Sequence, residues 1–567
     1  MKRSHLFSWD ARAILVIGLL VGYRFSSSAG NGPNDAIAFV STNERYMDNS
    51  SINWQERGFD SRTAWKGERI SYELMVLPKR DFSNVTLQFS DFKSAGGQQI
   101  SAAAAAYGAV RFVSANQSGG MCGNVDQTLP EIHVGDAIAP QGAFSLKNNA
   151  LQPIWITVSV PRTASPGQYT STISIQSDQG AVDKITFSLT VRDRLLPDPS
   201  QWAFHLDLWQ FPLRVSSYYK VPAWSPQHFE KMRPVMEALA QAGQKCITTS
   251  FFWDNFNTNN WGKDNLMIRL NKQPDGTFTY DYSNFDKWVS FMMGLGIKDE
   301  ILVFGMFPFN NNLNSYYFDQ SQQKDVVATY KLSSNEYNDF WTKMLTSFAA
   351  HLREKGWMDK TVLFFDERPA GPTAQVIKLI KSVEPAFKIG YSGAYNGQLE
   401  PDVYDLSIVS YLKIPPDILE KRARDNKVTT FYNTCTTKAP NLFTFSQAGE
   451  AELMGWMAYA NDYKGYVRYS LNQWEFNSLT ESRSRVVPSG DQFIVYPENY
   501  KSVRFEKLLE GIQDYEKIDL LHQGMRGKAL GQLDNLLSQC TIDQINANGN
   551  RDFGAFIDNA ETVLNSL

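Results

Sequence analysis

Eight short, largely apolar segments alternate with amphipathic helical segments between residues 204 and 471. Such alternation is typical of a parallel sheet with helical crossovers, and eight units over this span are typical of one closed barrel. A doubly wound sheet is the alternative, but it does not usually need eight strands, and the chain has no glycine-rich phosphate loop. The strand segments are 204–210, 246–254, 301–307, 361–366, 387–393, 406–411, 428–433 and 465–471. They predict a (β/α)8 TIM-like barrel over residues 197–500.

The residues on either side of the barrel follow two other patterns. Short strands with alternating apolar and polar residues predict an N-terminal antiparallel β-sandwich over residues 31–196. Pro197 and Pro199 break any continuing strand and mark the linker to the barrel. Beyond the barrel, apolar residues recur at helical spacing, which predicts a small C-terminal helical region, 501–567, that closes the barrel.

The N-terminus follows the plan of a secretory signal peptide. Lys2 and Arg3 precede an apolar run over residues 13–22, and small residues follow as far as Gly30. The run is too short to span a bilayer, and no other stretch of the sequence predicts a transmembrane segment. We therefore predict a signal peptide over residues 1–30 and an exported protein, which is periplasmic, cell-surface or secreted.

Composition excludes one class of partner and favours another. The net charge of −4 shows no excess of basic residues, which argues against nucleic-acid binding. Aromatic residues make up 13% of the chain, which suits both sugar-stacking surfaces and large apolar cores. A carbohydrate partner is compatible with this composition, and the oligomeric state stays open.

The cysteines and histidines show no metal-binding pattern in the sequence. Cys122, Cys246, Cys435 and Cys540 are widely separated, and the six histidines are equally scattered. Neither set has zinc-site spacing, so the sequence predicts no metal and no cofactor. Cys246 and Cys435 fall in strand-like segments and are predicted to be buried thiols. A disulfide framework is not expected, although one long-range bridge remains open.

Two adjacent carboxylates, Asp366 and Glu367, end the fourth strand segment of the barrel. Pro369 stops strand pairing, so both acids lie where the strand becomes a loop. The carboxyl end of a barrel strand is where this fold places catalytic groups. Two acids that end a buried strand are costly unless they have partners or a chemical role. The alternative is an acidic loop start that Arg368 neutralises.

The spacing of acids along the barrel constrains the mechanism. Many barrel glycosidases carry an acid/base on strand four and a nucleophilic carboxylate on strand seven. Residues 427–440, around the seventh strand, contain no Asp or Glu, so a nucleophile is absent there. Glu475, after the eighth strand, is the only later residue that could take its place. An adjacent pair suits a substrate with a 2-acetamido group instead. One acid would orient the acetamido group while the other protonates the leaving oxygen, so no enzyme nucleophile is needed.

Four segments of the chain resemble glycoside hydrolase family 123. They are 205–212 (HLDLWQFP), 362–369 (VLFFDERP), 490–497 (GDQFIVYP) and 502–518 (SVRFEKLLEGIQDYEKI). The resemblance extends from about residue 35 to the C-terminus. It implies a secreted β-N-acetylgalactosaminidase with an N-terminal sandwich and a catalytic barrel. It further implies that Asp366 orients the acetamido group and that Glu367 is the general acid/base.

The other candidate residues are matched only by their place on the predicted barrel. His205, Asp207 and Trp209 are predicted to end the first strand and to line the sugar pocket. A structural role is the alternative for Asp207. Tyr411 and Tyr432 are predicted to end strands six and seven, where a phenol can hydrogen-bond the acetamido carbonyl. Simple packing is the alternative for both tyrosines.

Two further candidates follow the eighth strand. Trp474 is predicted to form an apolar floor for the sugar, with packing at the barrel end as the alternative. Glu475 is predicted to bind a substrate hydroxyl. Trp253 and Asn310 are pocket candidates without an assigned role.

Three functional hypotheses result. The favoured one is a secreted glycoside hydrolase that removes β-linked N-acetylgalactosamine with retention of configuration, using the 2-acetamido group as nucleophile. The second is a conventional retaining β-glycosidase with Glu367 as acid/base and Glu475 as nucleophile. The third is a non-catalytic glycan-binding protein. The residues alone do not distinguish galacto from gluco substrates. The presence of both Asp366 and Glu367 argues against the third hypothesis, because a binding protein needs no proton donor.

Overall fold

The computed structural model describes residues 35–252, 265–307 and 312–567. The predicted signal peptide lies outside these residues, as do Trp253 and Asn310. Within the described part of the chain, no helix has both the length and the apolar character needed to cross a membrane.

The first half of the chain forms two packed sheets. One has the strand order β1-β3-β10-β7-β8, and the other has the order β2-β12-β11-β4-β9, with β5 and β6 beside β11. The strands are β1 (Ala36–Val40), β2 (Ser61–Lys66), β3 (Arg69–Leu77), β4 (Phe82–Phe89), β5 (Phe92–Ser94), β6 (Gln99–Ile100), β7 (Ala105–Ala115), β8 (Ile132–Ile138), β9 (Phe144–Leu146), β10 (Gln152–Ser159), β11 (Gly167–Ser177) and β12 (Gly180–Leu195). Tyr72 of β3 and Phe187 of β12 meet edge to face in the shared core, which confirms the predicted sandwich.

The sandwich differs from the prediction in one pair of strands. β2 runs parallel to β12, with Ser61 opposite Ser188, whereas the other paired strands of residues 36–195 are antiparallel. β2 and β12 are far apart in the chain, so no hairpin connects them and fixes an antiparallel direction.

The second half of the chain alternates strands with helices. The elements are β13 (His205–Leu208), α1 (Pro212–Tyr219), α2 (Pro226–Gln241), β14 (Cys246–Ser250), β15 (Arg269–Lys272), β16 (Phe278–Asp281), α3 (Ser283–Gly294), β17 (Glu300–Phe304), β18 (Asn312–Asp319), β19 (Lys324–Lys331), α4 (Asn335–Lys355), β20 (Thr361–Asp366), α5 (Ala370–Val383), β21 (Lys388–Gly393), β22 (Val403–Val409), α6 (Pro416–Arg424), β23 (Val428–Tyr432), α7 (Ala448–Ala460) and β24 (Gly465–Arg468). Eight of these strands form one parallel sheet in the order β13-β24-β23-β22-β21-β20-β17-β14. They are the eight predicted strands, and β20, which carries the acid pair, is the fourth.

The barrel is nearly closed, and glutamine side chains bridge its seam. Between β13 and β14 the backbone makes a single isolated bridge, from Leu206 to Gln244. The side-chain oxygen of Gln244 accepts a hydrogen bond from the Leu208 amide at 2.9 Å, and that of Gln210 accepts one from the Thr248 amide at 2.9 Å. These side chains take the place of ladder hydrogen bonds, so the seam is held by fewer backbone contacts than the other strand pairs.

A small additional sheet follows strands two and three of the barrel. β15, β16, β18 and β19 pair in the order β16-β15-β18-β19, in the segments after β14 and β17. This sheet was not predicted from the sequence. Its strands are short, and β19 alternates exposed and half-buried residues without a buried face, so the apolar signal of a strand is weak.

The C-terminal region is helical, as predicted, and joins both halves of the protein. It comprises β25 (Lys501–Ser502), α8 (Val503–Gly524), α9 (Lys528–Ser538), α10 (Ile542–Ala547) and α11 (Phe553–Ser566). β25 pairs with β8 of the sandwich, and Arg504 of α8 forms a buried ion pair with Asp136, 2.9 Å apart. On the barrel side α8 packs against α7 so closely that a side-chain carbon on Gly455 would collide with the carbonyl of Gly511. Helix α8 therefore fixes the sandwich to the barrel.

Candidate active site

The acid pair lies at the carboxyl end of β20, where the chain leaves the barrel sheet. Five buried residues precede Asp366, which is itself only 6% exposed, whereas Glu367 is exposed. Glu367 has a φ of +52°, in the left-handed region that residues other than glycine seldom adopt. Strained backbone of this kind concentrates at functional sites. The turn at Glu367 leaves two consecutive carboxyl groups in different surroundings.

Ser392, near the end of β21, contacts both acids. Its hydroxyl donates a hydrogen bond to Oδ1 of Asp366 at 2.6 Å, and its carbonyl accepts one from the Glu367 amide at 2.8 Å. Arg368 donates from Nε to the carbonyl oxygen of Asp366 at 2.8 Å, which fixes the backbone between the two acids. Ser392 was not predicted as a site residue, because a hydroxyl near a strand end is its only distinguishing feature in the sequence.

Tyr432 is the partner of Glu367. Its phenol donates a hydrogen bond to Oε1 of Glu367 at 2.7 Å from the end of β23. Burial and the two nearby carboxylates raise the pKa of the Tyr432 phenol far above its usual range, so the phenol remains a donor. Tyr432 was predicted to contact the acetamido carbonyl. The structure places it at the acid pair, on the general acid/base candidate.

An aromatic layer fills the barrel directly below the acid pair. The Trp209 ring lies edge to face with Phe304 and Phe364, with centroids 4.9 and 6.0 Å away, and with Tyr469 at 6.3 Å. Phe364 precedes Asp366 by two residues on β20, so both side chains point to the same face of the strand. A side-chain carbon on Gly390 would collide with the Phe364 ring, so that position of β21 requires glycine. Trp209 is therefore buried beneath the site.

Asp207 occupies the next layer down and does not line a pocket. It is fully buried, its Oδ2 accepts the indole N–H of Trp209 at 2.9 Å, and its Oδ1 lies 3.3 Å from the amide nitrogen of Gln244. Burial raises the pKa of Asp207 to about 7. The pocket-lining prediction is therefore wrong for Asp207, and the structural alternative agrees with its position.

His205 lies at the opposite end of the barrel from the acid pair. It is the first residue of β13 rather than its end, and its Nε2 lies 3.2 Å from Sγ of Cys246, the first residue of β14. Burial lowers the pKa of the His205 imidazole to about 3. The prediction that His205 ends the first strand and lines the sugar pocket is wrong, because its ring is buried at the amino end.

The last three candidates lie on loops that follow the sixth and eighth barrel strands. Tyr411 is 44% exposed, and its carbonyl accepts a hydrogen bond from Asn546 of α10 at 3.2 Å. Trp474 is 2% exposed, and its indole N–H donates to the Val495 carbonyl at 2.7 Å. Its position agrees with packing at the barrel end and leaves almost no open face for a sugar. Glu475 is exposed on the same loop.

A disulfide ties the sandwich to this end of the barrel. Cys122, between β7 and β8, is bonded to Cys435, three residues beyond Tyr432. The prediction of a buried Cys435 thiol is therefore wrong, and the long-range bridge that the sequence left open is present. Cys246 and Cys540 are free and buried, which confirms the prediction for Cys246.

Comparisons with known proteins agree with this architecture. The family model for the glycoside hydrolase 123 catalytic domain matches residues 209–521, and that for the glycoside hydrolase 123 N-terminal domain matches residues 39–177. A search of curated proteins finds no match.

Two solved structures are similar to this chain to very different degrees. A family 123 glycoside hydrolase from Clostridium perfringens, described for hydrolysis of glycolipid glycans, is 24% identical with a TM-score of 0.80, covering 94% of this chain and 99% of the other. A family 39 glycoside hydrolase from Bacteroides cellulosilyticus WH2 is 11% identical with a TM-score of 0.34, covering 71% and 77% of the two chains. The catalytic-domain model spans more than half of the chain, which therefore belongs to glycoside hydrolase family 123.

Proposed function

We propose that this glycoside hydrolase removes β-linked N-acetylgalactosamine from glycans or glycoconjugates, with retention of configuration and with the 2-acetamido group as nucleophile. The observation that carries the proposal is the adjacent pair Asp366 and Glu367. The Asp366 carboxyl is buried and accepts a hydrogen bond from a serine hydroxyl, whereas the Glu367 carboxyl is exposed and accepts one from a phenol. Two acids in different surroundings can take different roles in one reaction.

The buried acid suits the orienting role. An ionised Asp366 accepts hydrogen bonds and carries charge, so it can hold the acetamido N–H and increase the negative charge on the acetamido oxygen. The Ser392 hydroxyl donates a hydrogen bond to this carboxylate at 2.6 Å and fixes it in one direction. The second acid, Glu367, is open to solvent and can reach both the leaving oxygen and a water molecule.

The reaction then proceeds in two steps. The acetamido oxygen attacks the anomeric carbon, the bond to the leaving oxygen breaks, and that oxygen takes the proton of the Glu367 carboxyl. The product is a cyclic oxazolinium-type intermediate. In the second step a water molecule gives a proton to the Glu367 carboxylate, attacks the anomeric carbon and reopens the ring. Two inversions leave the configuration unchanged.

The conventional retaining mechanism is less well supported. It requires a second carboxylate about 5 Å from the acid/base. The end of the seventh strand carries Tyr432 in place of an acid, and Glu475 is exposed on the loop after β24.

Two further elements of the proposal rest on separate observations. Membership of family 123 and the glycolipid glycans described for the Clostridium perfringens enzyme support an N-acetylgalactosamine-containing glycoconjugate as substrate. Export is supported by the signal-peptide pattern of the sequence and by the Cys122–Cys435 disulfide, since disulfides persist mainly in oxidising compartments.

A substrate panel tests the proposal. We would measure release of 4-nitrophenol from the β-N-acetylgalactosaminide, the β-N-acetylglucosaminide and the β-galactoside. The parent should cleave the β-N-acetylgalactosaminide and leave the plain galactoside intact. The Asp366→Ala variant should lose this activity, whereas the exposed control Asp359→Ala should keep it. Comparable cleavage of the galactoside would assign the nucleophile to a carboxylate such as Glu475. Glycan binding with no turnover of any substrate would support the binding-protein hypothesis.

A further inference from the structure

Three neighbouring strands of the barrel begin with potential metal ligands. His205, Cys246 and Glu300 are the first residues of β13, β14 and β17, and Cys246 is the direct register partner of Glu300. They lie at the amino end of the barrel, opposite the acid pair. The sequence shows no metal spacing because these residues are 41 and 54 positions apart and meet only when the barrel forms.

The side chains converge closely enough to share one ion. A ligand atom from each lies within 4.8 Å of the other two, and all three residues are buried. Zinc bonds of about 2.3 Å to sulfur and about 2.0 Å to nitrogen place those two atoms about 3.5 Å apart in a tetrahedral site. The distance between Nε2 of His205 and Sγ of Cys246 is 3.2 Å, so the side chains would separate by about 0.3 Å.

The polar groups around these side chains are incompletely satisfied. Among the described residues, Oε2 of Glu300 has no hydrogen-bond partner, and neither has Oδ1 of the nearby Asp405. Buried carboxyl groups with unpaired oxygens favour an added cation.

The histidine and cysteine favour a particular class of cation. A neutral imidazole at His205 offers a lone pair at Nε2, the atom that lies 3.2 Å from Sγ of Cys246. A thiolate and an imidazole select borderline transition metals such as Zn²⁺ rather than Mg²⁺ or Ca²⁺. Binding would release the thiol proton of Cys246, while the imidazole of His205 and a carboxylate oxygen of Glu300 each give a lone pair.

A second group of clustered carboxylates carries no such inference. Glu452, Glu510 and Glu561 also converge, but Lys507 forms ion pairs with Glu452 and Glu510. Arg62 forms an ion pair with Glu561 at 2.6 Å. Each of the three carboxylates is therefore already paired with a cation of the protein.

We propose that His205, Cys246 and Glu300 form a structural site for Zn²⁺ or a similar borderline divalent metal at the floor of the barrel. The ion would join three strands, including the β13–β14 seam, where backbone hydrogen bonds are few. Metal bonds there would supply the cross-strand connection that the ladder lacks. The site is separate from the acid pair and independent of the proposed hydrolysis.

Cobalt spectroscopy tests this proposal directly. Protein freed of metal by a chelator is titrated with Co²⁺ while thiolate-to-cobalt charge-transfer absorption in the near ultraviolet is followed. We expect the band to saturate at one equivalent per chain. It should be lost in Cys246→Ser, reduced in affinity in Glu300→Gln, and unchanged in Cys540→Ser, which removes the other buried free thiol.

Folding and access are controlled separately. Far-ultraviolet circular dichroism establishes that each variant is folded, and Glu300→Gln retains both the thiol and the side-chain shape. Because the site is buried, the protein is also produced in zinc-depleted medium containing Co²⁺, so that metal can enter during folding. No thiolate band in either preparation, or a band that persists in folded Cys246→Ser, would overturn the proposal.

Discussion

Ser392 donates a hydrogen bond to Asp366 across adjacent barrel strands, with 2.6 Å between the hydroxyl and Oδ1. The same residue accepts the Glu367 amide through its carbonyl. One residue of β21 therefore positions both carboxyl groups of the pair that ends β20.

Ser392→Ala should lower kcat for the N-acetylgalactosaminide about ten- to hundredfold. A hydrogen bond to a charged group contributes about 1.5–3 kcal/mol, and here it holds the acid that orients the nucleophile. Steady-state kinetics checks this, with Ser407→Ala as the matched control. Ser407 is equally buried in the barrel, but its hydroxyl has no hydrogen-bond partner among the described residues. Equal losses in both variants would mean a general packing effect.

Tyr432→Phe should reduce kcat about tenfold or more, with little change in melting temperature. The substitution removes only the phenol oxygen that binds Glu367, and an oriented proton donor is typically worth 10²–10⁴ in rate, roughly, when its alignment is fully lost. Tyr391→Phe is the control. The Tyr391 phenol donates to the Arg368 carbonyl rather than to an acid, so that variant should keep most of its activity. Comparable activity in Tyr432→Phe and the parent would exclude a role for this contact.

The buried carboxyl of Glu73 in β3 should make stability depend on pH. Burial raises its pKa to about 8. A raised acid pKa means that the folded protein holds the proton while the unfolded chain, ionising near pH 4.5, releases it. Stability should therefore fall as pH rises from about 4.5 to 8, by up to about 1.4 kcal/mol per pH unit for this one proton.

Glu73→Gln should flatten that slope, because the amide has no proton to lose. Melting temperatures measured across the same pH range, relative to the parent, should move in favour of the variant as pH rises. Glu56→Gln is the matched control, because it makes the same substitution at an exposed position. Parallel curves for the parent and Glu73→Gln would refute the assignment.

Removal of the Cys122–Cys435 disulfide should destabilise the protein by about 2–4 kcal/mol, the usual range for such a bond. Denaturant unfolding of the parent with and without reductant, and of Cys122→Ser, measures the change. Reductant should affect the parent and Cys540→Ser alike but leave Cys122→Ser unaltered. A parent insensitive to reductant under conditions that release two thiols would contradict the prediction.

Local patterns predicted the barrel well and the depth of side chains poorly. Runs such as 361–366 are buried on both faces, and this burial is visible in the sequence as continuous apolar residues. Alternation shows that His205, Asp207 and Trp209 share a face, but not how deep each lies, because neighbouring strands set the register. His205 is at the amino end, Asp207 is in the middle, and of the three only Trp209 belongs to the aromatic layer below the acid pair.

Contacts between distant segments left no local signal. Ser392 and Asp366 are 26 residues apart, and Cys122 and Cys435 are 313 apart. Each pair meets through the order of barrel strands or the packing of the sandwich on the barrel. The acid pair was predictable because its two members are adjacent in sequence and follow a buried strand.

The nucleophilic role of the acetamido group can be measured most directly with a series of substrates. Fluorine atoms added one at a time to the acetyl methyl of 4-nitrophenyl β-N-acetylgalactosaminide make the carbonyl oxygen a poorer nucleophile while the leaving group stays the same. The substrate-assisted mechanism predicts that kcat falls steeply with each fluorine. Values of kcat that remain nearly constant across the series would contradict it and assign the attack to a carboxylate of the protein.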